Sequence, residues 1–227
     1  DLHRRRHSFP TRRSSDLTDV TLGNDHSIAG PIKVYGGNIN VNASLTSTGL
    51  GTSVSLYGTG KISLAANKTI QTSAGDILFK ANSSGLAAGG IELQTSSSLL
   101  STGGNITLGG GYNGSQGNGL YAATATTNGY PAVYINRMTI SAGGGNIKIY
   151  GSDTLSYDDG VRINVSSITT TGNGSIGIYG DGYGGFNGTA YFSGVSFRTG
   201  GNLVQTDAGP IEVIGTLTNT SSNNAAG

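Results

Sequence analysis

The chain has 227 residues, of which 40 are glycine, 35% are hydrophobic and only 11% are charged, and its formal net charge is +1. It contains no cysteine and no tryptophan, which excludes a disulfide-stabilised scaffold. No apolar run approaches the roughly 20 residues that a helix needs to cross a membrane, so we expect no membrane-spanning segment.

The N-terminal segment, residues 1–17, differs in character from the rest of the chain. Residues 7–17 resemble one reading frame of a common sequencing-library adapter over their whole length. We therefore expect residues 1–17 to be a non-native, disordered leader and exclude them from the fold. The alternative is a basic arm that binds nucleic acid or a membrane surface, because the segment holds five arginines.

The charge balance reverses without this leader. Removal of its five arginines and two aspartates leaves 8 basic and 10 acidic residues, a formal charge of −2. Nucleic-acid-binding surfaces usually show a clear excess of lysine and arginine. We therefore expect no nucleic-acid partner.

From residue 18 onward, one short phrase keeps returning: a glycine, a polar residue, then two apolar residues separated by one residue. Its apolar positions begin at Ile32, Ile39, Ile62, Ile77, Ile91, Ile106, Ile147, Ile176 and Ile211. The alternation places apolar side chains on one face of a short strand and polar side chains on the other. Weaker strands are predicted between the copies, at 133–135, 138–140, 161–165 and 195–197.

A short strand of this kind cannot bury its apolar face alone, but stacking it on its equivalent in the next turn of the chain does so. The pattern predicts an all-β fold, a right-handed parallel β-helix with irregular surface loops, over 18–227. Because the phrase recurs so often, we expect it to mark different faces of one coil. A coil of about 20 residues predicts roughly ten turns. The competing fold is an antiparallel sandwich or barrel, which explains the alternation but not the repeated phrase.

The repeat breaks in three stretches, at 109–131, 152–160 and 180–194. Insertions in repeat proteins become surface loops, often on the binding face. Tyrosine offers stacking area and a hydroxyl, which suits contact with sugars or proteins. The candidate ligand-binding residues in or beside these stretches are Tyr112, Tyr121, Tyr130, Tyr157, Tyr183 and Tyr191. The alternative is that these tyrosines only cover exposed edges of the coil stack.

Catalytic and metal-binding patterns are weak. Asp158 and Asp159 form the only acidic pair, followed by Arg162, and adjacent acidic residues are usually a solvated turn. Weak calcium candidates are Asp153, Asp158, Asp159 and Asp181, the last in a glycine-rich stretch that faintly resembles a calcium-binding nonapeptide repeat. We expect no enzymatic activity, no cofactor and no metal. A polysaccharide lyase or hydrolase remains the alternative.

The repeated Gly-Asn-Ile phrases at 104–108 and 145–149, in a cysteine-free chain rich in Gly, Ser, Thr and Asn, resemble the shaft of filamentous haemagglutinin-like exoproteins. The resemblance covers about 18–220 and is compositional. It implies a β-helix exported by an outer-membrane secretion partner (two-partner secretion) or through an autotransporter pore, and an adhesin role at the bacterial cell surface. The segment is interpreted as an internal fragment of a longer protein.

The resemblance therefore predicts a secreted or surface-exposed shaft segment that mediates or projects cell adhesion. Its expected partners are glycans, or proteins on the surface of host or neighbouring cells. A purely structural spacer or matrix filament is a further alternative.

Overall fold

The computed structural model describes residues 17–82, 89–110, 123–124, 130–153, 158–183 and 193–218. These residues wind through seven coils of three short strands each. Equivalent strands of successive coils pair in parallel, so the coils build three sheets that run along one axis. The described part of the chain contains no helix, and therefore none that could cross a membrane. The predicted all-β parallel solenoid is confirmed, and the antiparallel alternative is wrong.

The strands of the first four coils, three to a coil, are β1 (Val20–Leu22), β2 (His26–Ile28), β3 (Ile32–Gly36); β4 (Ile39–Val41), β5 (Leu45–Leu50), β6 (Val54–Gly58); β7 (Ile62–Leu64), β8 (Thr69–Ser73), β9 (Ile77–Ala81); β10 (Ile91–Leu93), β11 (Ser98–Ser101) and β12 (Ile106–Gly110). A two-residue strand, β13 (Ala123–Thr124), follows. The last three coils are β14 (Val133–Asn136), β15 (Thr139–Ser141), β16 (Ile147–Ser152); β17 (Val161–Asn164), β18 (Ser167–Thr169), β19 (Ile176–Tyr183); β20 (Val195–Arg198), β21 (Leu203–Gln205) and β22 (Ile211–Thr218).

The three strands of a coil define a first, a second and a third face. The first face is β1-β4-β7-β10-β14-β17-β20 and the second is β2-β5-β8-β11-β15-β18-β21. The third runs from β3 through β6, β9, β12, β16 and β19 to β22, with β13 paired beside β16. The repeated phrase marks the first face at Ile39, Ile62 and Ile91, and the third face at its other copies. The expectation that it marks different faces is confirmed, and the second face carries no copy.

The number of coils differs from the prediction. Val20 pairs with Ile39 and Ile39 with Ile62, so the first two coil steps take 19 and 23 residues, near the predicted 20. Ile91, however, pairs with Val133, a step of 42 residues. The estimate of ten turns was wrong because insertions lengthen the later coils, and the described chain has seven. Six steps of about 4.8 Å make the stack about 29 Å high.

Alternation along each strand fills the interior. The residues at the inward positions of coils two to six are almost wholly buried, and isoleucine, leucine and valine stack on the same residue types from coil to coil. Phe79 is the largest apolar side chain in this column and is fully buried. Burial of this kind contributes roughly 1.5–3 kcal/mol for each large apolar side chain. The apolar positions of the phrase are therefore the core of the solenoid.

In the copies on the third face, the glycine and the polar residue of the phrase lie at the corner that leads into that face. Gly104 and Gly145 stack so closely that a Cβ built on Gly145 would lie 2.2 Å from the carbonyl oxygen of Gly104. From the second to the fifth coil, the residue that follows at this corner carries a side-chain hydrogen-bond acceptor. Asn146 donates its backbone N–H to Oδ1 of Asn105 at 3.0 Å, and Asn105 donates its own to Asp76 at 2.8 Å. The phrase thus encodes a tight corner and a ladder of side-chain acceptors.

Candidate functional site

All the long connections leave the coil stack at one corner, between the third and the first face. In the first two coils this corner takes only residues 37–38 and 59–61. In the next four coils it takes 82–90, 111–132, 153–160 and 184–194. At the other two corners no connection between successive strands exceeds six residues. We call this corner, in coils three to six, the loop edge.

The predicted insertions need two corrections. The connection 82–90 was missed, because its Ser, Gly and Ala residues do not differ in type from ordinary corner residues. The third insertion was predicted to begin at residue 180, but Gly180 and Asp181 belong to β19, where they pair with Gly215 and Thr216 of β22. Asp181 therefore lies in a strand and not in a calcium-binding loop.

Two of the six candidate tyrosines fall within the described residues. Tyr130 lies at the loop edge and is 52% exposed. Tyr183 ends β19, where its backbone pairs with Thr218. The other four lie outside the described residues: Tyr112, Tyr121, Tyr157 and Tyr191.

Tyr130 opens onto a cavity of about 280 Å³ on the first face. Its walls include Tyr134 and an ion pair in which Lys61 Nζ lies 2.9 Å from Glu92 Oε2. Glu92 and Tyr134 are outward-facing neighbours on paired strands of successive coils. These three residues carry no functional signal in the sequence. Only the coil register brings them together, because Glu92 and Tyr134 occupy ordinary outward positions of β10 and β14, and Lys61 directly precedes β7.

Asp158 and Asp159 lie near the end of the connection 153–160 and are buried, at 2% and 0% exposure. Asp159 Oδ2 contacts Arg162 Nε at 2.7 Å and Arg198 Nη2 at 3.0 Å. Asp158 Oδ1 accepts hydrogen bonds from Arg162 and from the backbone N–H of Asp159. We call Asp158, Asp159, Arg162 and Arg198 the clasp. It joins the end of the connection 153–160 to the first face of the last two coils.

Asp159 also holds the end of the connection 184–194 and the start of β20. Asp159 Oδ1 accepts the backbone N–H of Ser193 at 2.9 Å, and Asp159 Oδ2 accepts the hydroxyl of Ser196 at 2.7 Å. Buried carboxylates paired in this way are costly to leave unpartnered. The clasp therefore anchors two neighbouring insertions at once.

The calcium and catalytic candidates lie in this protein-bound network. Asp153 accepts the backbone N–H of Asp158 at 2.9 Å, and Asp181 accepts the hydroxyl of Thr216. Burial raises the pKa of Asp158, while the N–H of Asp159 and the Arg162 guanidinium act in the opposite direction. Within the described ranges, no three His, Cys, Asp or Glu side chains converge into a group that could hold a metal ion. The acidic pair is engaged by arginines and backbone donors.

On the third face beside the loop edge, Tyr150 and Tyr179 stack with ring centroids 4.8 Å apart. Tyr179 donates its hydroxyl hydrogen bond to Glu212 Oε2 at 2.5 Å. This hydrogen bond, together with burial and the negative charge of Glu212, raises the pKa of Tyr179 to about 12. The stack therefore links the last three coils on that face.

We expect the folded protein to lose stability as the pH rises from about 10 to about 12. The pKa of Tyr179 is higher in the folded chain than the ordinary value of 10.0, so its contribution is complete below pH 10 and is lost as the folded tyrosine ionises. Urea unfolding followed by circular dichroism at pH 9 and above measures the effect. The loss should be smaller in Tyr179→Phe than in the parent chain, and an equal loss in both would contradict it.

No protein-family model, curated protein or solved structure significantly matches this chain.

Proposed function

We propose that this chain is a β-helical shaft segment of a secreted or surface-exposed bacterial adhesin. The observation that carries the proposal is the loop edge. Four consecutive coils place their insertions at one corner, while the other corners stay short. A solenoid whose insertions share one side presents them together, as repeat proteins do on a binding face.

The coil stack suits the role of a shaft. Each coil contacts its neighbours through parallel strands on three sides, and a continuous apolar column runs through the described coils. Repeat architectures of this kind extend by adding coils, with stability built from neighbouring contacts. The absence of cysteine means that the shaft depends on no disulfide bond. Export through an outer-membrane partner or an autotransporter pore belongs to the proposal.

The loop edge is the proposed contact surface for glycans or proteins of other cells. Support comes from Tyr130, which is exposed beside a cavity lined by Tyr134 and the Lys61–Glu92 ion pair. An aromatic side chain beside charged hydrogen-bonding groups is a common way to hold a sugar or a protein side chain. The clasp supports this surface by anchoring two of the insertions.

Replacing the six candidate tyrosines together with serine should abolish most adhesion, because stacking area is lost while the coil stack stays intact. Adhesion of the chain immobilised on beads to cells, and its binding to a glycan array, measure the effect. Leu50→Ser is the control, because Leu50 is an exposed apolar residue (84%) on the second face. Absence of binding by the parent chain would instead favour a structural spacer.

A polysaccharide-cleaving role predicts a different result. It requires a release of sugars that disappears when Asp158 and Asp159 are both changed to asparagine. Both carboxylates already accept hydrogen bonds from Arg162, and Asp159 also contacts Arg198. This pairing favours an anchoring role for the acidic pair.

A further inference from the structure

The third face carries a groove that is separate from the cavity beside Tyr130. It has a volume of about 550 Å³ and crosses β3, β6, β9, β12 and β16. Four coil steps of about 4.8 Å make it about 19 Å long, parallel to the solenoid axis. Residues that line it include Lys33, Tyr57, Asp76, Asn105, Thr107 and Lys148.

Lysines lie on this face in the first, third and fifth coils. Lys33 is in the first coil and Lys148 in the fifth, one at each end of the groove and in the same register column. Lys80, in the third coil, flanks the groove: it is in register with Tyr57, two residues or about 7 Å further along its strand than that column. Two coil steps separate neighbouring lysines by about 10 Å along the axis. Three of the five lysines of the chain thus lie along one face.

These lysines are not neutralised by neighbouring carboxylates. The ion pairs among the described residues involve Lys61, Lys68, Arg162 and Arg198, and none involves a lysine of the third face. Asp76 is the one acidic residue of the groove wall, and its Oδ1 accepts two hydrogen bonds from Asn105. The groove therefore offers spaced positive charges to a ligand.

The rest of the groove suits a sugar chain. Tyr57 stacks on Tyr35 with ring centroids 4.8 Å apart, and Tyr35 is 57% exposed, so an aromatic surface stands at its first end. Asn105 and Asn146 are exposed along the corner, and Thr107 is half-buried beside them. Aromatic faces pack against the apolar faces of sugar rings, while amides and hydroxyls pair with sugar hydroxyls.

We propose that this groove binds a linear acidic polysaccharide that carries a carboxylate on every second sugar. The sugar repeat of an extended glycan is close to one coil step, so alternate sugars face alternate coils. A carboxylate on every second sugar then meets a lysine in every second coil. The inference rests on the proposed adhesive function and deepens it, by giving the shaft itself a ligand class.

A nucleic acid fits the same face less well. A duplex carries one charge for about every 1.7 Å of its axis, so a stretch as long as the groove presents many more phosphates than three lysines can neutralise. The formal charge of −2 for residues 18–227 also opposes a polyanion of high charge density. Three widely spaced lysines favour a ligand whose negative charges are also widely and regularly spaced.

The test is a titration of the full 227-residue chain with a fluorescently labelled hyaluronan octasaccharide, followed by fluorescence anisotropy at low and high salt. Comparison probes are a neutral chitin hexasaccharide and a single-stranded DNA oligonucleotide of similar length. The variants are Lys33→Gln, Lys80→Gln, Lys148→Gln and the triple change. Lys68→Gln is the matched control, because Lys68 lies next to the second face, with its Nζ 3.4 Å from Asp25.

We expect the hyaluronan probe to bind more tightly than both comparison probes, and more weakly as salt rises. Each single variant should weaken binding about threefold to fivefold and the triple variant about tenfold to hundredfold, while Lys68→Gln stays within about twofold. Circular dichroism and thermal unfolding should show the same fold in all variants.

Equal binding of the neutral probe, tighter binding of DNA, or an unchanged affinity in the triple variant would overturn the groove assignment. So would the absence of any binding by hyaluronan. If the groove assignment fails but the tyrosine-dependent adhesion persists, the proposed function stands. If hyaluronan binds through the three lysines but the chain mediates no adhesion to cells, the proposed function fails and the groove assignment stands.

Discussion

Replacing Gly145 with alanine should lower the melting temperature by about 5–15 °C, equivalent to about 2–4 kcal/mol. A Cβ on this residue would lie 2.2 Å from the carbonyl oxygen and 2.5 Å from the carbonyl carbon of Gly104. Both atoms belong to the backbone of the preceding coil, so no side chain can turn away to make room. Relief requires the two coils to separate at this corner, which weakens the hydrogen bonds between β12 and β16.

The neighbouring residue supplies the control. Gly144 lies in the same run of three glycines, and a Cβ on it meets nothing within 4 Å. Gly144→Ala should therefore leave the melting temperature within about 2 °C of the parent chain. Differential scanning calorimetry of the two variants gives the comparison. Equal melting temperatures for the two variants would show that the corner relaxes freely and would contradict the stacking argument.

Asp159→Asn should cost about 3–5 kcal/mol of the free energy of unfolding, since it removes the negative charge shared by two arginines. Asp159 is fully buried and its Oδ2 contacts Arg162 at 2.7 Å and Arg198 at 3.0 Å. An asparagine of the same shape removes the negative charge that both guanidinium groups contact, and Asp158 then remains as a carboxylate partner of Arg162. Urea denaturation measures the loss, and adhesion should fall as well, because two insertions lose their anchor.

Asp25→Asn is the matched control for Asp159→Asn. Asp25 also lies beside a lysine, with Lys68 Nζ at 3.4 Å from its Oδ1, but its side chain is 66% exposed. Exposed pairs of this kind contribute little, about 0–1 kcal/mol, because water and salt screen them. A loss of similar size in Asp25→Asn and Asp159→Asn would mean that burial of the clasp does not matter.

Local pattern was enough to predict the strands. The alternation at Ile106 and Leu108 or at Ile147 and Ile149 predicts one buried and one outward side, and these four residues are fully buried. The weaker strands predicted at 133–135 and 161–165 are also present, as β14 and β17. Alternation has a period of two residues, so it can be read within one strand without knowledge of the rest of the chain.

The pairing register between strands of successive coils could not be predicted from local pattern. Ile91 pairs with Ile62 on one side and with Val133 on the other, at separations of 29 and 42 residues. The sequence of a strand does not depend on the length of the insertion beside it. The lengths of the later coils could therefore not be predicted, and the count of ten coils was too high. The backbone conformation at the corners could not be predicted either. Val165 adopts a left-handed φ of 46°, a conformation that favours glycine and that a valine does not indicate.

The sequence by itself determined a parallel solenoid with glycine corners, an apolar interior and three of its four long insertions, since each depends on neighbours within a few residues. Only the tertiary structure decided that the insertions share one edge, that Arg198 reaches Asp159 from the next coil, and that Lys33, Lys80 and Lys148 lie on one face. These relations join residues dozens of positions apart. They depend on how coils of unequal length stack on one another, and the sequence pattern within one coil does not indicate that stacking.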